Sequence, residues 1–276
     1  MGTRFDVFLS GQDEEHLEAV AVAVLEEVVR LDGVLSRFDP RSEIARVNRE
    51  AYSRPVRVDH EVFALLAGCE QARETTEGYY DVTALSVGEH RGPGIRLDAD
   101  SCAVRLLRPG AFIDLGGVGK GYALDRGREI MQRFNVRNGL LQGGTSSVLA
   151  VGDGTWPIDL RHPQSPDRIV GRVELTGQAL SCSAARHAGG QSSDIVNPLT
   201  GEALAGQDAC VVLSANATDA EGFSTGLLAM GRERAIQFLT RHPDIEANVA
   251  WIDDDGGLCW FGAPRRLGAP CRLGAP

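Results

Sequence analysis

Apolar and polar positions recur along this chain with two different periods. From Asp13 to Leu35 the apolar residues Leu17, Val20, Val24, Val28, Leu31 and Leu35 return at helical spacing, with acids in the first turn, which predicts a long amphipathic helix. Residues 36–40 read as a loop and 42–48 as a short helix. Residues 59–77 form a second clear helical pattern, with Val62, Leu65, Leu66 and Cys69 on one face and Gly78 as its stop. Residues 79–83 read as extended. Residues 95–114 are strand-like, preceded by a Gly-rich turn at 92–94 and interrupted by Pro109-Gly110.

The second half turns to short strand patterns, at 139–142, 146–151, 156–160, 170–175, 179–182 and 209–213. Helical patterns at 220–230 and 232–241 follow, then a last strand at 248–252. Long helices beside many antiparallel-looking strands, without regular strand–helix alternation, indicate an α+β fold of antiparallel sheets and packed helices rather than a doubly wound sheet. No linker divides the chain. Gly262 to Pro276 repeats Gly-Ala-Pro three times around two Arg-Leu pairs, so one domain is expected over 1–262 and a low-complexity, frayed tail over 263–276.

Composition narrows the function. A chain of 276 residues with 43% hydrophobic content can bury a substantial core. The net charge of -10 argues against a nucleic-acid partner, which demands a basic surface. Six scattered cysteines, with no zinc spacing, read as reduced and mostly buried thiols. The start, Met1-Gly2-Thr3-Arg4-Phe5, alternates like a strand and lacks a signal peptide's apolar middle. Glu18, Glu26 and Glu27 interrupt the apolar run 17–29, which is too short and too charged to span a bilayer. The expectation is a cytoplasmic protein as numbered, or a periplasmic or membrane-associated one if a leader was removed.

The chemistry concentrates at residues 111–125. There an apolar run closes on Asp114, passes Gly116, Gly117, Gly119 and Gly121 around Lys120, and opens into a helical pattern. Glycines let a ligand approach bare backbone, and a helix start offers unpaired N–H groups and a positive dipole end, so phosphate is the natural guest. Neither a Walker A loop nor G-x-G-x-x-G can be framed here. Further on, Gly143-Gly144-Thr145-Ser146-Ser147 offers bare backbone with three hydroxyls, or a turn with polar caps. Ser183 or Cys182 with His187 as base is a weak nucleophile candidate that lacks a third partner. Residues 194–201 carry a turn signature. Glu221 and Thr225, four apart, share a helical face as hard oxygen ligands suited to Mg²⁺, while Asp219 reads as the helix cap.

The order and spacing of these segments resemble the FAD:protein FMN transferase (ApbE-like) family over nearly all of the chain except its tail. Met1-Gly2-Thr3, Leu35-Ser36-Arg37-Phe38 with Ser42-Glu43-Ile44 and Asn48, and Tyr80-Asp81-Val82-Thr83 are similar to family segments. The most specific match is residues 114–125, which resemble D-L-G-G-[IV]-[AG]-K-G-Y-A-V-D almost letter for letter. Gly143-Gly144 and the strand from Trp156 to Pro163 fit as well.

The resemblance implies a Mg²⁺-dependent enzyme that cleaves FAD and attaches FMN to a Ser or Thr hydroxyl of an acceptor flavoprotein, releasing AMP. By position, Leu35, Asp114, Lys120 and Ile195 would contact FAD, Asp194 would serve catalysis, and Gly117 (through its carbonyl), Glu221 and Thr225 would hold the metal. The chain departs from the pattern in four places. Glu221 replaces an aspartate, Asp194 a histidine, and Asn197 an aspartate; residues 83–95 are short and lack a W-G-F stretch. The alternatives are a non-catalytic FAD-binding or carrier protein and an FAD pyrophosphatase releasing FMN and AMP. The changes at 194 and 221 favour these alternatives, and the intact loop with Thr225 favours the transferase.

Overall fold

The computed structural model describes residues 2–86, 92–185, 193–206, 208–245, 247–253 and 255–261. After β1 (Phe5–Ser10), the stripe of apolar residues becomes α1 (Glu14–Leu35), which buries Val20, Val24, Val28, Leu31 and Leu35 as the spacing requires. Asp13 caps it by accepting the His16 N–H. Ser42 and Asp59 cap α2 (Glu43–Glu50) and α3 (His60–Thr75) in the same way. The chain continues through β2 (Val56–Arg57), β3 (Ile95–Asp98) and β4 (Ala103–Leu106) to α4 (Gly119–Arg133). Then come β5 (Asn138–Gly143), β6 (Ser147–Val151), β7 (Trp156–His162), β8 (Ser165–Leu175), β9 (Ala179–Ala184) and β10 (Ala209–Ser214). Helices α5 (Ala217–Met230) and α6 (Arg232–Arg241) and strands β11 (Asn248–Ile252) and β12 (Leu258–Phe261) complete the fold.

Seven strands build one antiparallel sheet in the order β1-β5-β6-β9-β10-β11-β12. Helices α1, α4, α5 and α6 cover one face, where Val24, Leu124, Leu227 and Phe238 meet Leu149, Val212 and Trp251. The hairpin β7–β8 covers the other, packing Leu160, Val173 and Leu175 on Leu140, Val211 and Ala250. Burial on both faces explains why β10 is an unbroken apolar run rather than an alternating one. The end of α1, with α2, α3 and the small sheet β2-β4-β3, closes a third apolar cluster. The result is the α+β architecture expected, and no described helix is long and apolar enough to cross a membrane.

Three local expectations are corrected. Residues 79–83 are a turn, not extended: the Asp81 carboxylate accepts both the N–H and the hydroxyl of Thr83, at 2.6 and 2.7 Å. The apolar run 111–113 buries Ala111 and Ile113 yet lies outside any strand, because the Asn48 amide takes the place of a partner strand. It accepts the Ile113 N–H at 2.7 Å and donates to the Ile113 carbonyl at 2.9 Å. Asn216, not Asp219, caps α5, accepting the Asp219 N–H while its amide donates to the Asp219 carboxylate. That reciprocal pair starts the helix at Ala217. Strands β2 and β12 went unread in the sequence pattern, and the expected tail at 263–276 lies outside the described residues.

Candidate active site

The glycine loop 114–118 delivers the chain to α4, where Val118 occupies the cap position and offers no side-chain acceptor. Part of the deficit is met from another helix: Glu221 on α5 accepts the Gly121 N–H at 2.7 Å. In return, Asp125 on α4 accepts the Ala217 and Thr218 N–H groups at 3.0 and 2.8 Å, and the Thr218 hydroxyl at 2.6 Å. Each helix start is thus held by a carboxylate of the other, at the end of the dipole that favours negative charge. The crossing is close. A Cβ on Gly121 would sit 2.3 Å from the Ala217 carbonyl oxygen, so only glycine fits there.

Glu221 is 2% exposed, and its burial is compensated by partners. Besides Gly121 it accepts the Ser147 hydroxyl and pairs with the Lys120 ammonium at 2.8 Å. One helical turn on, Thr225 shares a hydroxyl network with β9: Ser183 lies 3.1 Å from Thr225 and 2.8 Å from Ser224, and Ser181 lies 3.0 Å from Ser224. Gly117 faces this network, with the position of a Cβ on it 3.7 Å from the Thr225 hydroxyl.

These groups open on a cleft of about 570 Å³ that is lined by Asp114, Gly117, Lys120, Asp194, Ile195, Glu221 and Thr225 together. Asp194 is exposed; the loop beside it is tied by the Ser193 hydroxyl to the N–H of Ile195. The Asp114 carboxylate accepts the Gly116 N–H at 2.7 Å and pairs with Arg37, whose guanidinium lies over the rings of Phe38 and Phe112. Leu35 does not line the cleft. It falls on the buried stripe of α1 and is packed into the third apolar cluster, while Arg37 two residues on reaches the cavity. Sequence reasoning missed Arg37 because it fills the variable position of its segment. Ser147 lay within a noted cluster, but nothing local marked it as the partner of Glu221.

Three of the thiols are held in the protonated form, which is a poor nucleophile. Burial pushes Cys69 and Cys182 up to about 12, and Cys210 well above its usual range. Ser183 faces hydroxyls rather than a base among the described residues, and His187 lies outside them. Burial, with Cys69 nearby, also raises the Tyr80 phenol, so this cleft residue stays neutral. Because the folded thiols hold protons that unfolded thiols release above about pH 9, their contribution to stability is full below that pH and is lost as pH rises toward 12. Alkylation of the native protein at pH 8 is accordingly expected to spare Cys69 and Cys210, which are buried, and to label Cys102 and Cys259, which are only partly buried. Peptide mapping checks this, and early labelling of Cys210 would contradict the burial argument.

No group of three or more His, Cys, Asp or Glu residues with metal-binding geometry exists among the described residues. Magnesium asks less of the protein: a few hard oxygens and the phosphates of its substrate. The carbonyl of Gly117, the hydroxyl of Thr225 and the carboxylate of Glu221 are of that type and border one cleft. Glu221 already accepts three contacts, against the roughly four a carboxylate can take, so one position remains. The donor set fits such an ion.

The fold is an α+β one whose cleft opens beside a helix start, and comparison with known proteins places it in a family. The model of the ApbE family matches residues 1–249, and the chain belongs to that family. Two FAD:protein FMN transferases of Klebsiella pneumoniae are similar to it. One is 26% identical, with 84% of this chain and 82% of the relative covered; the other is 25% identical, with 95% and 85% covered. Among solved structures, the ApbE protein of Thermotoga maritima superposes with a TM-score of 0.82 at 24% identity, covering 93% of each chain. The flavin transferase ApbE of Vibrio cholerae gives 0.76 at 22% identity, covering 96% of this chain and 94% of its own.

Proposed function

We propose that this chain is a Mg²⁺-dependent FAD:protein FMN transferase that attaches FMN through a phosphoester to a Ser or Thr of an acceptor flavoprotein. One observation carries the reading: every expected site residue except Leu35 borders a single cleft of nucleotide size. Lys120, oriented by Glu221, supplies a cation for the pyrophosphate, and the bare backbone of Gly116 and Gly117 lets the phosphates approach. Ile195 and the tyrosine rings give the apolar wall that a flavin or adenine needs. Gly117, Glu221 and Thr225 would hold Mg²⁺, which when bound supplies charge neutralisation on the phosphate oxygens.

At the exposed edge, the Asp194 carboxylate accepts the proton of the incoming hydroxyl. The hydroxyl oxygen forms its bond to the FMN phosphorus as the bond from that phosphorus to the AMP oxygen breaks, and AMP leaves with the bonding pair. A carboxylate can do this work, although it cannot become cationic as histidine can. Asp194→Ala is therefore expected to lower transfer by about 10²–10⁴-fold with little change in FAD affinity, and Asp194→His to restore it. Wild-type rates in Asp194→Ala would remove the residue from the reaction.

Incubation of the protein with FAD, Mg²⁺ and a flavin-acceptor domain tests the whole reading. Covalent flavin on the acceptor with AMP released supports it. Free FMN with AMP would identify a pyrophosphatase, and intact bound FAD a carrier.

A further inference from the structure

The large sheet has an internal opening beside the cleft. Strands β6 and β9 pair only as far as Ser147 and Ser181, and the N–H of Cys182 makes the last bond across, to the Ser146 carbonyl at 2.8 Å. There the β5–β6 hairpin turns, at Gly144 with φ 65°. β9 runs on to Ala184, still paired with β10 on its other side through Ser183–Cys210 and Ala184–Ala209. In an antiparallel ladder the N–H and C=O of one residue point to the same side, and those of the next residue to the other. The Cys182 N–H points toward β6, and the Ala185 N–H points to Asp208 on the β10 side, at 3.1 Å. The N–H and C=O of Ala184 consequently point into the place where β6 has ended. No strand meets them among the described residues, although Ala184 is 2% exposed. A buried backbone donor and acceptor without a partner call for one.

The two faces of β9 differ at this opening. Ser181 and Ser183 face α5 and its hydroxyl network in the cleft. Leu180, Cys182 and Ala184 face the opposite way, toward a second cavity of about 480 Å³ under β7–β8, with Leu140, Val148 and Ile252 among its walls. The two cavities share Ser146, Cys182 and Ala184. A strand added beside β9 would send alternate side chains into the two spaces.

We propose that the open edge of β9 at Ala184 receives the acceptor polypeptide as an added strand. The hydroxyl-bearing residue enters the cleft, and its apolar neighbours enter the second cavity. This rests on the transferase reading for the identity of the polypeptide, while the pairing itself is independent of flavin chemistry. It gives a protein substrate sequence-tolerant affinity through main-chain bonds, with selection by the residues that flank the hydroxyl.

The probe is a fluorescein-labelled nonapeptide with Leu-Thr-Leu at its centre and polar residues elsewhere, titrated against the full chain and followed by anisotropy. N-methylation of the peptide residue that pairs with Ala184 is expected to weaken binding at least tenfold, and methylation of the residue on either side of it to leave binding within twofold. Ala184→Pro removes the N–H that faces the opening. It leaves the ladder to β10 intact, so it is expected to fold and to bind the unmethylated peptide at least tenfold more weakly. Replacing both leucines by aspartate should also weaken binding. A methylation scan in which no position is more sensitive than its two neighbours, or a wild-type chain that does not bind the peptide, would overturn the proposal. A chain that binds the peptide with one such sensitive position but releases no AMP from FAD would leave the edge standing and overturn the transferase reading instead.

Discussion

Glu221→Ala is expected to reduce FAD turnover by about 10²–10³-fold and to destabilise the fold by about 3–5 kcal/mol. Both effects have one origin. The carboxylate holds the Lys120 ammonium, the Ser147 hydroxyl and the Gly121 N–H, and it is almost wholly buried. Its removal leaves a cation and a helix-end donor without their shared partner, and leaves the cleft without the carboxylate that would help hold a metal. Glu221→Gln separates the two roles. The amide can still accept from Gly121 but brings no charge to Lys120, so turnover should fall nearly as far while stability falls less. AMP release and chemical denaturation measured on the same preparations check this. Full activity in Glu221→Ala would show that the carboxylate serves the fold alone.

Gly121→Ala should be the most damaging single methyl group in the cleft region, costing about 3 kcal/mol. The added carbon would meet the Ala217 carbonyl oxygen at 2.3 Å and its carbon at 2.6 Å, and these are backbone atoms that cannot rotate away. To admit it, α4 and α5 must separate at the point where Glu221 and Asp125 tie them together, so FAD affinity should fall as well. Gly119→Ala is the internal control. It lies in the same first turn with nothing within 4 Å of the added carbon, and it should be neutral or stabilise by about 0.5–1 kcal/mol. Equal stability of the two variants in urea would refute the close crossing.

The parts of this fold that could be read in advance are those fixed by local rules. The stripe of α1, the short helical pattern of α2 and the continuous apolar run of β10 each follow from spacing within a few residues. The loop 114–125 was legible because glycines, an acid and a lysine coincide in one short stretch. What escaped is settled by partners far along the chain. Asn48 stands in for a strand 65 residues away, and Glu221 reaches Gly121 across 100 residues. Leu35 sits on the core side of α1, which a motif position alone does not tell, whereas the stripe that contains Leu35 does. Arg37 reaches the cleft from a position whose neighbours, not itself, carry the segment's pattern.

Calorimetric titration of FAD into the full chain, with Mg²⁺ and then with the metal chelated, for the wild type and Thr225→Ala, bears most directly on a metal-assisted dinucleotide site. The expected result is tight binding that weakens at least tenfold on chelation, with most of that metal-dependent gain absent from Thr225→Ala. Equal FAD affinity with and without Mg²⁺ in the wild type, or the same metal-dependent gain in Thr225→Ala, would contradict it.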